Sequence, residues 1–254
     1  MGFLLQKTFP GTVRALKINA QGNKLCIESI GENGIPSYNV LEIPDLKFQL
    51  ENVSPKESKR LTLKEIHENY LILLEYEEGK NPDVSNLIVF DTAKRIVAWE
   101  RKDVKNVEVS GSAIKVPHQY LTNRIEHLDI SSGQPIEISK EFTNNKPDIL
   151  LPAFYSAENE YFSTFTEFIQ THTNDQAILC CEYLEINSGM ILSYYAKSDR
   201  SVDNNLLIMS NEGQLNELIN IGKNLTGIGK DTFFVFDKYL IFISFKNTLN
   251  IYEI

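Results

Sequence analysis

Residues 70–100 read YLILLEYEEGKNPDVSNLIVFDTAKRIVAWE, from Tyr70 to Glu100, and the reading of this stretch decides the fold. Three strands are predicted in it: Tyr70–Tyr76, Asn86–Asp91 and Ile96–Glu100. Tyr70–Leu74 and Leu87–Phe90 are short apolar runs rich in β-branched and aromatic residues. Glu77-Glu78-Gly79 and Asn81-Pro82-Asp83 punctuate them, which favours buried strands over helix. Pro82 has no N–H to give a ladder and belongs in the connection. Asp91 starts the turn Asp91-Thr92-Ala93-Lys94, because its carboxylate accepts from the backbone just ahead.

The same grammar recurs outward in both directions. Residues 24–50 and 190–220 each give an apolar run, a polar loop (31–37 and 197–204) and two further strand-like runs. Residues 125–138 give a strand, a Ser-Ser-Gly turn and an alternating strand, and residues 239–254 close the chain with YLIFISF, a Lys246-Asn247 turn and TLNIYEI. A preceding strand is predicted for each unit, at Val13–Asn19, Leu61–His67, Val104–Ser110, Ala177–Ile186 and Thr232–Phe236. A four-stranded meander recurring every ~40–45 residues is the sequence signature of a β-propeller blade. The expected fold is therefore all-β, a β-propeller-like ring of five to six four-stranded meander blades in a single domain over residues 1–254. Phe3–Phe9 is the expected closing strand, completing the blade that Leu249–Ile254 leaves one strand short.

Residues 143–175 interrupt the pattern. Tyr161, Phe162, Phe165, Phe168 and Ile169 recur at helical spacing, predicting a short helical insertion near 156–172 with Ser156 as N-cap. A degenerate sixth blade is the competing reading of the same residues.

A formal net charge of −9 on 254 residues argues against a nucleic-acid or anionic-membrane partner, since both reward a basic patch. MGFLLQKTFPGTV does not have the charge and length of a secretory signal, and no stretch approaches the ~18 apolar residues of a membrane span. Cys26, Cys180 and Cys181 are the only cysteines, sit in apolar runs, and show no zinc spacing. Together these features lead to the expectation of a cytoplasmic protein.

No catalytic grammar emerges. Gly227-Ile228-Gly229-Lys230 is the nearest approach to a phosphate loop, lacks its spacing, and reads as a turn. His67, His118, His127 and His172 have no carboxylate or cysteine at ligand spacing; His118 and His127 are the pair that a hairpin would bring together. Glu77, Glu78 and Asp83 in one polar loop, and Asp199 and Asp203 in another, are expected to form a solvated rim. Trp99, the only tryptophan, is expected to pack between blades. No catalytic, cofactor-binding or metal-binding residue is assigned, and no cofactor is expected.

LIVFDTAKRIVAWE and IEHLDISSGQPIEI resemble the repeat of quinoprotein- and WD40-like propellers, keeping Asp91 with Trp99 and Asp129 with Gly133. The resemblance implies blade geometry and not a quinone cofactor. Taken with KLCIESIGENGIPSYNVLEI, PAFYSAENEYFSTFTEFI and DTFFVFDKYLIFISFKNTLNIYEI, the chain resembles an uncharacterised bacterial family, a domain of unknown function of about this length. That resemblance implies no activity. The expected function is a non-enzymatic scaffold for a protein or peptide partner; the alternative is a small-molecule-binding or hydrolytic protein with its site in the central channel.

Overall fold

In the computed structural model, residues 2–79, 81–118, 124–137, 147–198 and 200–254 are described. They form an all-β, propeller-like fold of five antiparallel sheets whose strands largely follow the chain as meanders, with one helix. The chain divides into two compact units, Phe9–Pro147 and Met1–Thr8 with Asp148–Ile254.

After β1 (Gly2–Thr8), which belongs to the other unit, the unit Phe9–Pro147 runs through β2 (Thr12–Ile18), β3 (Lys24–Ile30), β4 (Pro36–Glu42) and β5 (Lys47–Val53) as one sheet. A second sheet holds β6 (Leu61–His67), β7 (Tyr70–Glu75), β8 (Val84–Asp91) and β9 (Ile96–Lys105). A third holds β10 (Glu108–Ser110), β11 (Ala113–Pro117) and β12 (Ile125–Asp129). The middle sheet is buried on both faces. Leu71 and Leu73 of β7 pack with Tyr38, Val40 and Leu50, while Ile72 and Leu74 pack with Ile114, Val116 and Leu128. Successive strand residues point to opposite faces, so two buried faces produce an unbroken apolar run.

Two expectations need correction in this unit. Val104–Ser110 is not one strand: Val104 and Lys105 pair with Ser85 and Val84 as the end of β9, and positive φ at Asn106 turns the chain before β10 begins. The second half of 125–138 is not a full strand but a single bridge, Leu128 to Pro135, because Pro135 cannot donate to a ladder. Residue 138 lies outside the described residues.

The second unit contains β13 (Ile149–Leu150), β14 (Ala153–Ser156), α1 (Phe162–Thr173), β15 (Ala177–Ile186), β16 (Gly189–Ser198), β17 (Ser201–Ser210), β18 (Leu215–Leu225), β19 (Phe233–Phe236), β20 (Tyr239–Ser244) and β21 (Thr248–Glu253). Its sheets run β14-β15-β16-β17-β18 and β1-β21-β20-β19-β13. β1 zips onto β21 from Gly2 opposite Glu253 to Thr8 opposite Thr248, so the N-terminal strand completes the sheet of the C-terminal one. Phe9, expected in that strand, lies outside it.

Helix α1 packs on the sheet through buried Ile169 and half-buried Phe162, Phe165 and Phe168, against Cys181, Leu192 and Tyr194. It begins later than expected, and Ser156 is not its N-cap. Ser156 pairs with Cys180 in the ladder, and the Asn159 side chain takes the Tyr161 N–H at 2.9 Å, which defers the first helical turn. Tyr161 occupies the cap without a side-chain hydrogen bond. Of the polar stretch 197–204, expected as a long loop, Lys197 and Ser198 belong to β16 and Ser201–Asn204 to β17, with Ser198 opposite Ser201; residue 199 lies outside the described residues. Polar residues hold strand positions there because their groups are satisfied: Asn204 accepts from Ser193 at 3.0 Å, and Asn205 donates to Asp175 at 3.1 Å.

Trp99 packs as expected. Its indole N–H donates to the Ile130 carbonyl at 2.8 Å, tying β9 to the third sheet. Gly133, at φ +69°, gives the ring its place, since a Cβ there would come within 2.7 Å of the indole. Trp99→Ala should cost ~2–4 kcal/mol, combining lost packing with an orphaned carbonyl. Urea denaturation reads the loss, and a cost under ~1 kcal/mol contradicts this packing role.

Candidate functional site

The most deeply buried carboxylates among the described residues are Glu28 and Glu182. A buried charge persists only where donors surround it. Glu28, on β3, pairs with the Arg14 guanidinium and accepts the Leu63 N–H at 2.5 Å, while Arg14 also donates to the Leu61 carbonyl at 2.7 Å. Glu182, on β15, accepts the N–H groups of Asp231 and Thr232 at 2.5 and 3.0 Å and the Thr232 hydroxyl at 2.5 Å. Each carboxylate sits on the second strand of its sheet and grips backbone where the next sheet begins. Their hydrogen bonds join sheets.

Other titratable groups are similarly engaged. Lys24 is buried, and burial pulls its pKa down against the opposing pull of Glu42 and Glu68. Its ammonium donates to Gln49 at 2.8 Å and Asn69 at 2.6 Å, fastening β3 and β5 to the β6–β7 turn. Burial pushes the Cys180 thiol up to about 11 and the Cys181 thiol up to about 12, so neither supplies thiolate at neutral pH. Burial also lowers the His67 pKa. His118 lies opposite Arg124 and His127 opposite Lys115, three positions apart along one hairpin, so the expected approach does not occur. Among the described residues, no group of three His, Cys, Asp or Glu side chains is placed to hold a metal.

The acidic loops divide. Glu77 and Glu78 line a cleft of about 630 Å³ in the unit Phe9–Pro147, together with Lys56, Arg60, Glu75 and Lys102. Asp83 does not join them; its N–H donates to Asn81 in a local turn. Asp203 is a strand residue of β17 that accepts the Asn224 N–H at 2.9 Å, which corrects its assignment to a loop rim. Asp199 lies outside the described residues. Inside the cleft the charges compensate one another. Lys56 donates to Glu75 at 2.8 Å and lies 3.7 Å from Glu100, Arg60 pairs with Glu78 at 3.1 Å, and Asn86 donates to Glu77 at 3.0 Å. The sequence shows these residues as loop charges; the missing signal is that the segment before β6 supplies cations to the end of β7.

The second unit holds a different cavity, about 780 Å³, between the turns of its two sheets. Leu150, Ile186, Val235 and Ile254 make its apolar floor. Val235 belongs to a core cluster with Ile191, Ile208 and Phe242, Ile186 and Ile254 pack against that cluster, and Leu150 is 44% exposed. Two-residue turns frame it, Asn187-Ser188 between β15 and β16 and Asp237-Lys238 between β19 and β20. Gly189 fixes the first turn: at φ +150° a Cβ would meet the Met209 carbonyl oxygen at 1.9 Å. On the rim Lys238 pairs with Glu253 at 2.5 Å, and Asn211 donates to the Asn187 carbonyl at 2.8 Å. Glu185 and Asp237 are exposed on that rim with no hydrogen bond or ion pair to a described residue. None of these rim residues stands out in the sequence, because the groove joins turns of two separate repeats.

No protein-family model matches the chain, and no curated protein matches it. Among solved structures it is similar to TolB from Acinetobacter baumannii, at 12% identity and a TM-score of 0.33, over 84% of this chain and 44% of that one. It is also similar to the β-propeller domain of the Trilobed protease from Pyrococcus furiosus, at 12% identity and a TM-score of 0.37, over 94% of this chain and 78% of that one. A third is the Pyrococcus horikoshii acylaminoacyl peptidase, at 13% identity and a TM-score of 0.35, over 91% and 41%. The chain thus spans less than half the length of TolB and of the peptidase.

Two predictions follow from the buried and clefted carboxylates. Glu28→Ala leaves Arg14 without its partner and the Leu63 N–H without an acceptor, and should cost ~3–5 kcal/mol in urea denaturation; a cost below ~1 kcal/mol removes its joining role. Glu75 titrates low: burial alone would raise its pKa, but hydrogen bonds from Lys56, Ser58 and Asn86 outweigh that. A depressed folded pKa adds stability that is present above the unfolded value of about 4.3 and lost as pH falls through the lower folded value. Wild type should therefore lose more stability than Glu75→Gln between about pH 5 and 3, and parallel profiles would refute the assignment.

Proposed function

We propose that the protein is a non-enzymatic scaffold that binds an extended protein or peptide segment in the groove of its second unit. The observation that carries this reading is the groove itself: an apolar floor continuous with the core, framed by rigid two-residue turns and rimmed by polar groups. Apolar concavities with a few placed polar groups are the usual form of a recognition site. Exposed apolar residues support it. Of the twelve large hydrophobic side chains exposed among the described residues, ten belong to this unit, and only Ile96 and Ile125 to the other. We further propose that the chain belongs to the uncharacterised bacterial family its repeats resemble and acts in the cytoplasm, a location supported by three buried, unpaired cysteines.

The alternative, a small-molecule-binding or hydrolytic protein, draws on the cleft of Phe9–Pro147, where Glu75, Glu77, Lys56 and Asn86 converge. That convergence is offset by internal pairing, which leaves these groups holding one another.

Panning the intact protein against a random decapeptide library tests the scaffold reading. Enriched sequences should carry adjacent large apolar residues, and Leu150→Asp should weaken the best of them at least ~10-fold, about 1.4 kcal/mol. No enrichment, or enriched binders indifferent to Leu150→Asp and to Ile186→Asp, overturns the reading.

A further inference from the structure

Resting on the groove reading above, we propose that the segment bound there is cationic: an apolar pair seated on the floor, flanked by lysine or arginine on both sides. The argument is one of charge. Met1–Thr8 with Asp148–Ile254 contain fourteen Asp and Glu against seven Lys and Arg, a formal charge of −7 out of the chain's −9. Phe9–Pro147 therefore holds only the remaining −2, so the acidity belongs to the unit that bears the groove.

On the groove the imbalance is local as well as global. Among the described residues that line the groove the cation is Lys238; it pairs with Glu253 at 2.5 Å, and Asp237 beside it is left only a longer-range share of that charge. Glu185 enters from the β15–β16 side and Asp237 from the β19–β20 side, and neither has a hydrogen bond or ion pair to a described residue. Two carboxylates without a hydrogen bond or ion pair to a described residue, Glu185 near the end of β15 and Asp237 in the β19–β20 turn, line the groove together with its apolar floor. A segment placing an apolar side chain between two cations satisfies all three features at once. Complementary charge of this kind fixes register and partner choice and makes binding sensitive to salt. The cleft of the other unit supplies a contrast, because Glu75 and Glu78 there are paired with Lys56 and Arg60.

The test uses the full chain and three synthetic decapeptides, each with a central Leu-Leu pair flanked by four lysines, four serines or four glutamates. Titration calorimetry at low and at moderate salt should rank them lysine, serine, glutamate, with the lysine peptide at least ~10-fold tighter than the serine peptide and weakened by salt. Glu185→Gln with Asp237→Asn should bring the lysine peptide down to the serine peptide's affinity and flatten its salt dependence, leaving the serine peptide unchanged. Equal binding of lysine and serine peptides, both lost in Leu150→Asp, overturns the cationic partner and keeps the groove. Binding of the lysine peptide that survives Leu150→Asp but not added salt overturns both, by showing charge attraction without a seat. Failure of all three peptides to bind also overturns both.

Discussion

A carboxylate buried between two β-sheets needs donors around it, and in both halves of the molecule some of those donors come from where the neighbouring sheet begins. Glu28 and Glu182 lie in different units and different sequence contexts, yet each takes backbone N–H groups at the point where the following sheet starts. Sheet-to-sheet apolar packing is plastic in register, because one leucine can slide past another at small cost. Hydrogen bonds to a buried charge are not, since a shift of one residue would leave the charge uncompensated. The apolar clusters supply most of the favourable burial, and the carboxylates decide which arrangement of the sheets receives it. Lys24, bridging Gln49 and Asn69, applies the same constraint at another edge of the first two sheets.

The sheets were legible from the chain wherever burial on both faces wrote an unbroken apolar run. Leu61–His67 and Ala177–Ile186 coincide with β6 and β15 to the residue, and the N-terminal strand is found on β21 as its pattern requires. The errors have local physical causes. Asn204 reads as loop because it is polar, but Ser193 on β16 satisfies it inside a strand. Ser156 reads as a helix cap because of its type, whereas the ladder with β15 claims it first. Val104–Ser110 reads as one strand since a turn through Asn106 needs no glycine or proline to announce it.

The groove was not legible at all. Its floor comes from residues that read as core, and its rim from turns that read as solvated. What brings them together is the pairing of strands far apart in the chain, such as β13 with β19, which sets Leu150 opposite Val235. The two units also differ in how they handle charge. In Phe9–Pro147, lysine and arginine face glutamate across the cleft and neutralise it, while the other unit leaves carboxylates unmatched beside an apolar floor. An exposed carboxylate without an ion pair contributes little to stability and is available to a partner.

Amide hydrogen exchange of the whole chain, with and without the lysine-flanked Leu-Leu decapeptide, tests the central claim most directly. The account predicts added protection in residues 185–188 and 235–238, with the 56–60 and 75–78 segments of the other unit unchanged. Protection at the 56–60 and 75–78 cleft, or bound peptide with no change at either groove turn, would contradict it.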